Sequence, residues 1–406
     1  MKRTTGQDRT ITETWRSATR AVRGGTWRSE QGETSEAIFM NSGYCYDDAE
    51  TPADRFAGKI PGMTYSRTQN PSVQMLEERI ALMEGAQACR TQASGMGAMS
   101  ASMLCQLSAG DHMVIAKAAF GPTRWVTDNL LPRFGIACTP VDGRDLNQWQ
   151  DAIRPNTKLF FFETPANPTM DIVDIRAVSD LAHQHGIRVV VDNAFASVAL
   201  QRPLDHGADV VAYATTKLMD GSGRTLGGAV VGDADFINGI LHPYTRNTGN
   251  VMSPFNAWIT LKGLETLDLR ANAQARAALD LGQWLETRVQ VLHPGLASHP
   301  QHDIVKRQMK LAGSTFSFMV GGANPEQGRE RAMALLNALQ LIDISNNLGD
   351  AKTLMTHPAS TTHSSVTPEV RAHMGVREDM VRISVGLEDV EDLKDDLDRA
   401  LKSIGL

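Results

Sequence analysis

Val189-Val190-Val191-Asp192-Asn193 and Ala212-Tyr213-Ala214-Thr215-Thr216-Lys217 decide how this chain folds. Ile187 to Val191 is a short, nearly unbroken β-branched run, the composition of a strand covered by helices on both faces. Asp192 closes it. Ala208 to Tyr213 is a second such run, and Lys217 lies four residues beyond it. In open α/β sheets ligands bind outside the carboxyl ends of the strands, so both side chains should point into one crevice.

An acid and a lysine delivered in this way point to pyridoxal phosphate (PLP). A lysine amine forms a Schiff base with the cofactor aldehyde, and a carboxylate keeps the pyridine nitrogen protonated so that the ring accepts electrons. Taken singly, Lys217 reads as a surface lysine and Asp192 as a helix cap. It is their shared position at strand ends that favours the cofactor.

The chain's 406 residues, 42% of them apolar, are enough for two or three domains with substantial cores. A net charge of -6 with no Lys/Arg-rich run argues against nucleic acid as the main partner. Cys45, Cys89, Cys105 and Cys138 form no C-x-x-C pair and have no histidine cluster beside them, so no metal site and ordinary reduced thiols are expected. Residues 1–20 carry Arg3, Arg9, Arg16 and Arg20 but no apolar core, and nothing approaches the length of a membrane span. The expected location is the cytoplasm, with no membrane partner.

Residues 1–64 show little periodicity and read as an arm lying on something else. A helix should start at Asn70-Pro71, bury Leu76, Ile80 and Met83 on one face, and end at Gly85. Gln92 to Met99 reads as a helix N-terminus open to an anion. Gly95 and Gly97 also make a partial dinucleotide pattern, but Ser100 stands where its third glycine belongs and no ribose-binding acid follows. Strands are expected at 112–116, 136–141 and 158–162, with helices at 123–133 and near 146–153 between them. After 158–162, Pro165 and Pro168 confine a loop that fixes Glu163 and Asn167 at another strand end. Asp174 should cap a helix ending at Gly186, and Gly221 to Arg224 should turn into a strand at 227–231. The alternation argues a mainly parallel sheet covered by helices, in a domain spanning 65–255. Past residue 255 the character changes. A long helix over 258–292, a strand at 315–320, a helix over 332–341, a strand at 381–385 and an amphipathic helix at 389–401 make a smaller α+β domain over 256–406.

Six segments in order resemble the PLP-dependent enzymes of cysteine and methionine metabolism. They are Tyr65-Ser66-Arg67-Thr68-Gln69-Asn70-Pro71, Ser94-Gly95-Met96, Glu163-Thr164-Pro165-Ala166-Asn167-Pro168, Val191-Asp192-Asn193, Gln201 to Asp209, and Val381 to Asp389. The resemblance implies an α/β fold of the type I PLP-dependent transferases, which are aspartate aminotransferase-like. It implies that Lys217 carries the cofactor and moves protons, that Asp192 faces the pyridine nitrogen, and that Phe120 stacks on the ring. Ser94, Gly95, Met96 and the Thr216 hydroxyl would hold the phosphate, and Asn167 would lie near the cofactor hydroxyl. Tyr65 and Arg67 would reach that phosphate from a neighbouring subunit, making residues 1–64 an intersubunit arm and the molecule a dimer, or a tetramer built from two dimers. Arg382 would grip the substrate α-carboxylate as a bidentate fork, with Asn347 and Tyr65 also on the substrate.

Ile344 to Asp350 and Thr356 to His363 look closest to members that act on activated homoserine esters. The implied activity is γ-replacement on such an ester, with the succinyl ester favoured, by sulfide or a small thiol to give homocysteine. Cystathionine formation, use of the acetyl ester and γ-elimination from methionine remain open beside it. Outside the family, a nicotinamide-dependent dehydrogenase rests on the Gly95 pattern alone, and a non-catalytic binding module rests on Ala214.

Two positions depart from the pattern. Many members carry a phosphate-binding serine where Ala214 stands, a loss of about 1 kcal/mol in cofactor binding. Lyases of the family usually have a tyrosine at Phe120 that can protonate a leaving group. A carboxylate leaves without a proton, so Phe120 tilts the expectation toward an ester substrate.

Overall fold

The β-branched and aromatic runs become the strands of a seven-stranded sheet in the computed structural model, which describes residues 6–364 and 366–406. The strands are β1 (Ala88–Gln92), β2 (His112–Ala116), β3 (Ala137–Val141), β4 (Thr157–Glu163), β5 (Arg188–Asp192), β6 (Val210–Tyr213) and β7 (Gly228–Gly232). Their order is β1-β7-β6-β5-β4-β2-β3. Pairing from β3 across to β6 is parallel, while β7 runs antiparallel to both β6 and β1. Alternate residues enter two separate cores. Phe160, Phe162, Val189 and Val191 face one, and Leu159, Phe161 and Val190 face the other. Such double burial is why these strands read as continuous apolar runs.

Helix signals also act where the sequence places them. Helix α1 (Pro71–Glu84) starts at Asn70, whose side chain accepts the Ser72 N–H, and ends at Gly85 with φ 81°. Helix α2 (Gly95–Leu104) is capped by Ser94, whose Oγ accepts the Gly97 N–H at 3.0 Å. Asp174 caps α3 (Ile175–Gln184), and Gly186 follows it with φ 66°.

Other expectations need correction. The helical stretch expected over 258–292 is two helices, α4 (Pro254–Leu264) and α5 (Leu267–Glu286), followed by strand β8 (Gln290–Leu292). The Thr266 N–H turns back to the Gly263 carbonyl, and pairing with β9 (Thr315–Met319) takes residues 290–292 out of the helix. The helix expected over 332–341 is α6 (Pro325–Ala338), begun by an Asn324 cap. It stops early because the N–H groups of Gln340, Leu341 and Ile342 donate to the Asp396 carboxylate instead. The helix expected at 123–133 is a longer helical stretch, 121–134. The sequence reading did not anticipate β1, β10 (Asp343–Ile344) or β11 (Leu354–Thr356).

Strands β8 to β11 and β12 (Met380–Ser384) form a second sheet ordered β10-β11-β12-β9-β8. Its core joins Phe316, Phe318, Val381 and Ile383 to α5, to α6 and to α7 (Val390–Ser403), whose Leu393, Leu397 and Leu401 form the expected buried stripe.

The first five residues of the N-terminal arm, Arg3 among them, lie outside the described residues. The rest is more regular than its composition indicated, with short helices at Ser17–Arg23 and Glu50–Phe56. Its first part lies on α1. Arg79, buried in that helix, donates to the Gly24 carbonyl at 2.8 Å and to Glu36 at 2.7 Å. Further along, Met40 and Phe56 are 66% and 74% exposed. Among the described residues, no helix is long and apolar enough to cross a membrane.

Candidate active site

The carboxyl ends of β4, β5 and β6, the first turn of α2 and the middle of the second sheet enclose a cavity of about 340 Å³. Ser94, Gly95, Met96, Phe120, Asn167, Asp192, Thr216, Lys217 and Arg382 all line it. Segments from residue 94 to residue 382 thus converge on one space, as expected of side chains at the strand ends of such a sheet. Asn347 joins them by accepting a hydrogen bond from Lys217. Tyr65 and Arg67 do not line the cavity. Tyr65 is 45% exposed, and the Arg67 guanidinium lies 5.5 Å from its ring centroid.

Lys217 leaves the large sheet four residues after β6, and its Nζ donates to Asn347 Oδ1 at 2.7 Å. Gly349 lets the 346–350 segment approach this closely. With φ +74°, its position would bring a Cβ within 2.7 Å of the Leu218 nitrogen. Burial, reinforced by the Arg382 charge and opposed by Asp192, pulls the Lys217 amine down to about 8. Asp192 is itself buried and accepts the Ala194 N–H at 3.0 Å. Desolvation pushes its carboxyl up to about 7, against the pull of that N–H and of Lys217.

Arg382 emerges from β12, fully enclosed. Its Nη1 donates to Asn167 Oδ1 at 3.1 Å, and its Nη2 to the Asn346 and Asn347 carbonyls at 2.8 and 3.0 Å. Nε is buried without a partner among the described residues. Burial lowers the guanidinium to about 10, with Glu163 holding it up. A buried fork with one donor unspent can take a carboxylate.

At the opposite end of the cavity, the first turn of α2 presents backbone N–H groups. A Cβ at Gly95 would lie 2.6 Å from the Ala214 Cβ, so this turn admits only glycine. Thr216 Oγ1 accepts the Gly227 N–H at 3.0 Å beside it. Helix N–H groups, the helix dipole and a hydroxyl make a cradle for a phosphate. Ala214 lines the same wall with no hydroxyl to offer. An amine, a buried carboxylate, an aromatic ring and a phosphate cradle in one cavity are the donor set that PLP needs.

Sequence reasoning left several lining residues out of the site, and Glu163 is the titratable one among them. Glu163, which the sequence only places at a strand end beside a proline-confined loop, ends β4 in register with Asp192 on β5 and is 3% exposed. Its Oε2 accepts the Phe120 N–H at 2.8 Å and its Oε1 the Asn167 N–H at 3.3 Å. Burial and the neighbouring Asp192 push its carboxyl well above the usual range. The available signal was its place at a strand end next to another acid-bearing strand. Leu348 and Thr362, also on the cavity wall, carry no comparable signal.

Residues 18–402 match the family model of the Cys/Met metabolism PLP-dependent enzymes. The O-succinylhomoserine sulfhydrylase of Mycobacterium tuberculosis is 47% identical over 387 residues, 95% of each chain. An L-methionine gamma-lyase of Porphyromonas gingivalis is 41% identical over 95% of this chain and 97% of its own. Among solved structures, a putative O-acetylhomoserine (thiol)-lyase of Campylobacter jejuni superposes with a TM-score of 0.90 at 30% identity. That match covers 96% of this chain and 100% of the other, which carries N'-pyridoxyl-lysine-5'-monophosphate.

Proposed function

The chain belongs to the Cys/Met metabolism PLP-dependent enzymes, and from that premise we propose that it makes homocysteine by γ-replacement. Sulfide would displace the acyl group of a homoserine ester, the succinyl ester by preference. The observation that carries this reading is the meeting of Lys217, Asp192 and Arg382 in one cavity, in a chain 47% identical to a relative named for that reaction.

When bound, the cofactor supplies an imine link to the substrate amine and an electron sink that acidifies first the Cα and then the Cβ proton. The chain's own residues do the rest. Arg382 holds the α-carboxylate and so orients Cα, with Asn347 beside it. Lys217, buried and poised near pH 8, takes the Cα proton and returns protons to neighbouring carbons. Asp192 keeps the pyridine nitrogen protonated. Phe120 would stack on the ring, Asn167 would lie near the cofactor hydroxyl, and Ser94, Gly95, Met96 and Thr216 would hold the phosphate. Because Phe120 has no proton to give, a leaving group that departs as a stable carboxylate suits this cavity better than a thiolate.

The same reading makes a dimer the minimal active unit. Tyr65 and Arg67 of one copy would complete the other copy's cavity, Tyr65 also touching substrate, with the dimers pairing into a tetramer. The exposed Met40, Phe56 and Ile60 on the arm, with Tyr65 just beyond it, support a covering partner. Free Cys45, Cys89, Cys105 and Cys138 fit a cytoplasmic location.

One assay tests the function. The purified protein, with its visible spectrum recorded, is offered O-succinylhomoserine or O-acetylhomoserine with sulfide, with cysteine or with neither. A yellow protein that makes homocysteine from the succinyl ester and sulfide is the expected result. Cystathionine as main product, or 2-oxobutanoate without a nucleophile, would move the assignment to the synthase or to the lyase.

A further inference from the structure

Two carboxylates side by side in a closed cavity repel each other, and each resists desolvation. Glu163 stands level with Asp192 on the adjacent parallel strand, and both are buried. A second acid so placed needs a compensating use, and its hydrogen bonds show one. Each oxygen takes a different backbone donor, Oε2 the Phe120 N–H and Oε1 the Asn167 N–H. Phe120 belongs to the segment after β2, and Asn167 to the loop after β4. The Asn167 side chain then accepts from Arg382 Nη1 at 3.1 Å. One carboxyl group therefore ties the backbone that carries the Phe120 ring to the residue that holds the Arg382 guanidinium.

We propose that Glu163 is the positioning residue that fixes the Phe120 ring relative to Arg382, and so sets cofactor affinity and α-carboxylate recognition together. This rests on the reading of the cavity as a PLP site. The residue type follows from the geometry. A carboxylate offers acceptors on both oxygens, whereas an amide of the same shape offers one and turns an NH2 toward the other donor. Aspartate keeps an oxygen on both sides and loses the reach.

The test uses the full-length protein carrying Glu163→Gln, Glu163→Asp, Asn167→Ala or the Glu163→Gln/Asn167→Ala pair. PLP affinity is read by equilibrium dialysis, melting is followed without PLP, and KM and kcat are measured for the homoserine ester. Glu163→Gln should weaken PLP binding and raise KM by about tenfold each, the cost of turning an NH2 toward a buried N–H that had an oxygen acceptor. Its kcat should stay within about threefold, and its melting temperature near the parent's, because the cavity and not the core is disturbed. The Glu163→Gln and Asn167→Ala effects on KM should fall short of adding, as linked members of one chain do. Should Glu163→Gln fail to fold, Glu163→Asp carries the same expectation. Unchanged affinity and KM, additive effects, or losses that simply track a lower melting temperature overturn the proposal. A parent protein that binds no PLP overturns the cofactor reading instead.

Discussion

On the proposed reading Lys217 suits proton transfer because partial burial brings its amine down to about 8, and two residues of the same cavity wall bear on what it can do. Ala214 faces the phosphate cradle without a hydroxyl. Ala214→Ser should restore one hydrogen bond of about 1 kcal/mol and tighten PLP binding by about fivefold, read by dialysis. Phe120→Tyr adds a proton donor over the ring. It should hold or raise the release of 2-oxobutanoate from methionine, where a thiolate must leave, and a fall in that rate would count against the proton argument. At this scale the sequence was informative wherever chemistry restricts residue type. Asp192 ends a strand and Lys217 follows one because the fold puts reactive groups there, whereas Arg382 lies within β12 and is legible only through the family resemblance. Glu163 escaped because its use depends on two backbone N–H groups that only the folded chain brings near.

Helix α1 illustrates what an element hides from periodicity. Its caps and its apolar face were legible, since Asn70, Pro71 and Gly85 have direct backbone consequences. The last residue, Glu84, is fully buried and accepts the Tyr213 hydroxyl of β6 at 2.5 Å, and no spacing rule announces that. Burial pushes its carboxyl up to about 8, against the Tyr213 bond and the Arg202 charge. Below the unfolded-state value near 4.5 the residue is protonated in both states, and its contribution to stability is complete. As pH rises toward 8 the unfolded chain gives up that proton and the folded chain keeps it, so stability falls. Glu84→Gln should remove this slope. Melting curves between pH 5 and 8.5 should show the parent losing ground to the variant, and parallel curves would place the titration elsewhere. The break between α4 and α5 was illegible for a related reason. Leucine spacing continues across it, and only packing determines where the chain turns.

For the whole molecule, the N-terminal segment is fastened by charge. Glu36 meets Arg79 of α1 at 2.7 Å and Lys262 of α4 at 2.6 Å, with the Arg79 side chain 0% exposed. Although burial opposes it, the Lys262 bond and the Arg79 charge hold the Glu36 carboxyl near 2. Its contribution is therefore present above about pH 4.5 and fades as pH falls toward 2. Glu36→Gln should lower stability at neutral pH by about 3 kcal/mol in denaturant titrations, because buried Arg79 keeps only the Glu265 carboxylate, 3.7 Å away, to match its charge. The two-sheet plan was legible in the changing pattern past residue 255, but Arg79 and Glu36 are 43 residues apart and share no motif. Arg382 has a like role between the halves, since it springs from the small sheet and holds the Asn167 amide oxygen of the large one. On the proposed reading, a substrate carboxylate would take the unspent Nε donor beside that amide. The substrate, held by Arg382 at one end and lying beside Lys217 at the other, would then be a second rivet between the two sheets, and slower cleavage by a protease at their junction should report it.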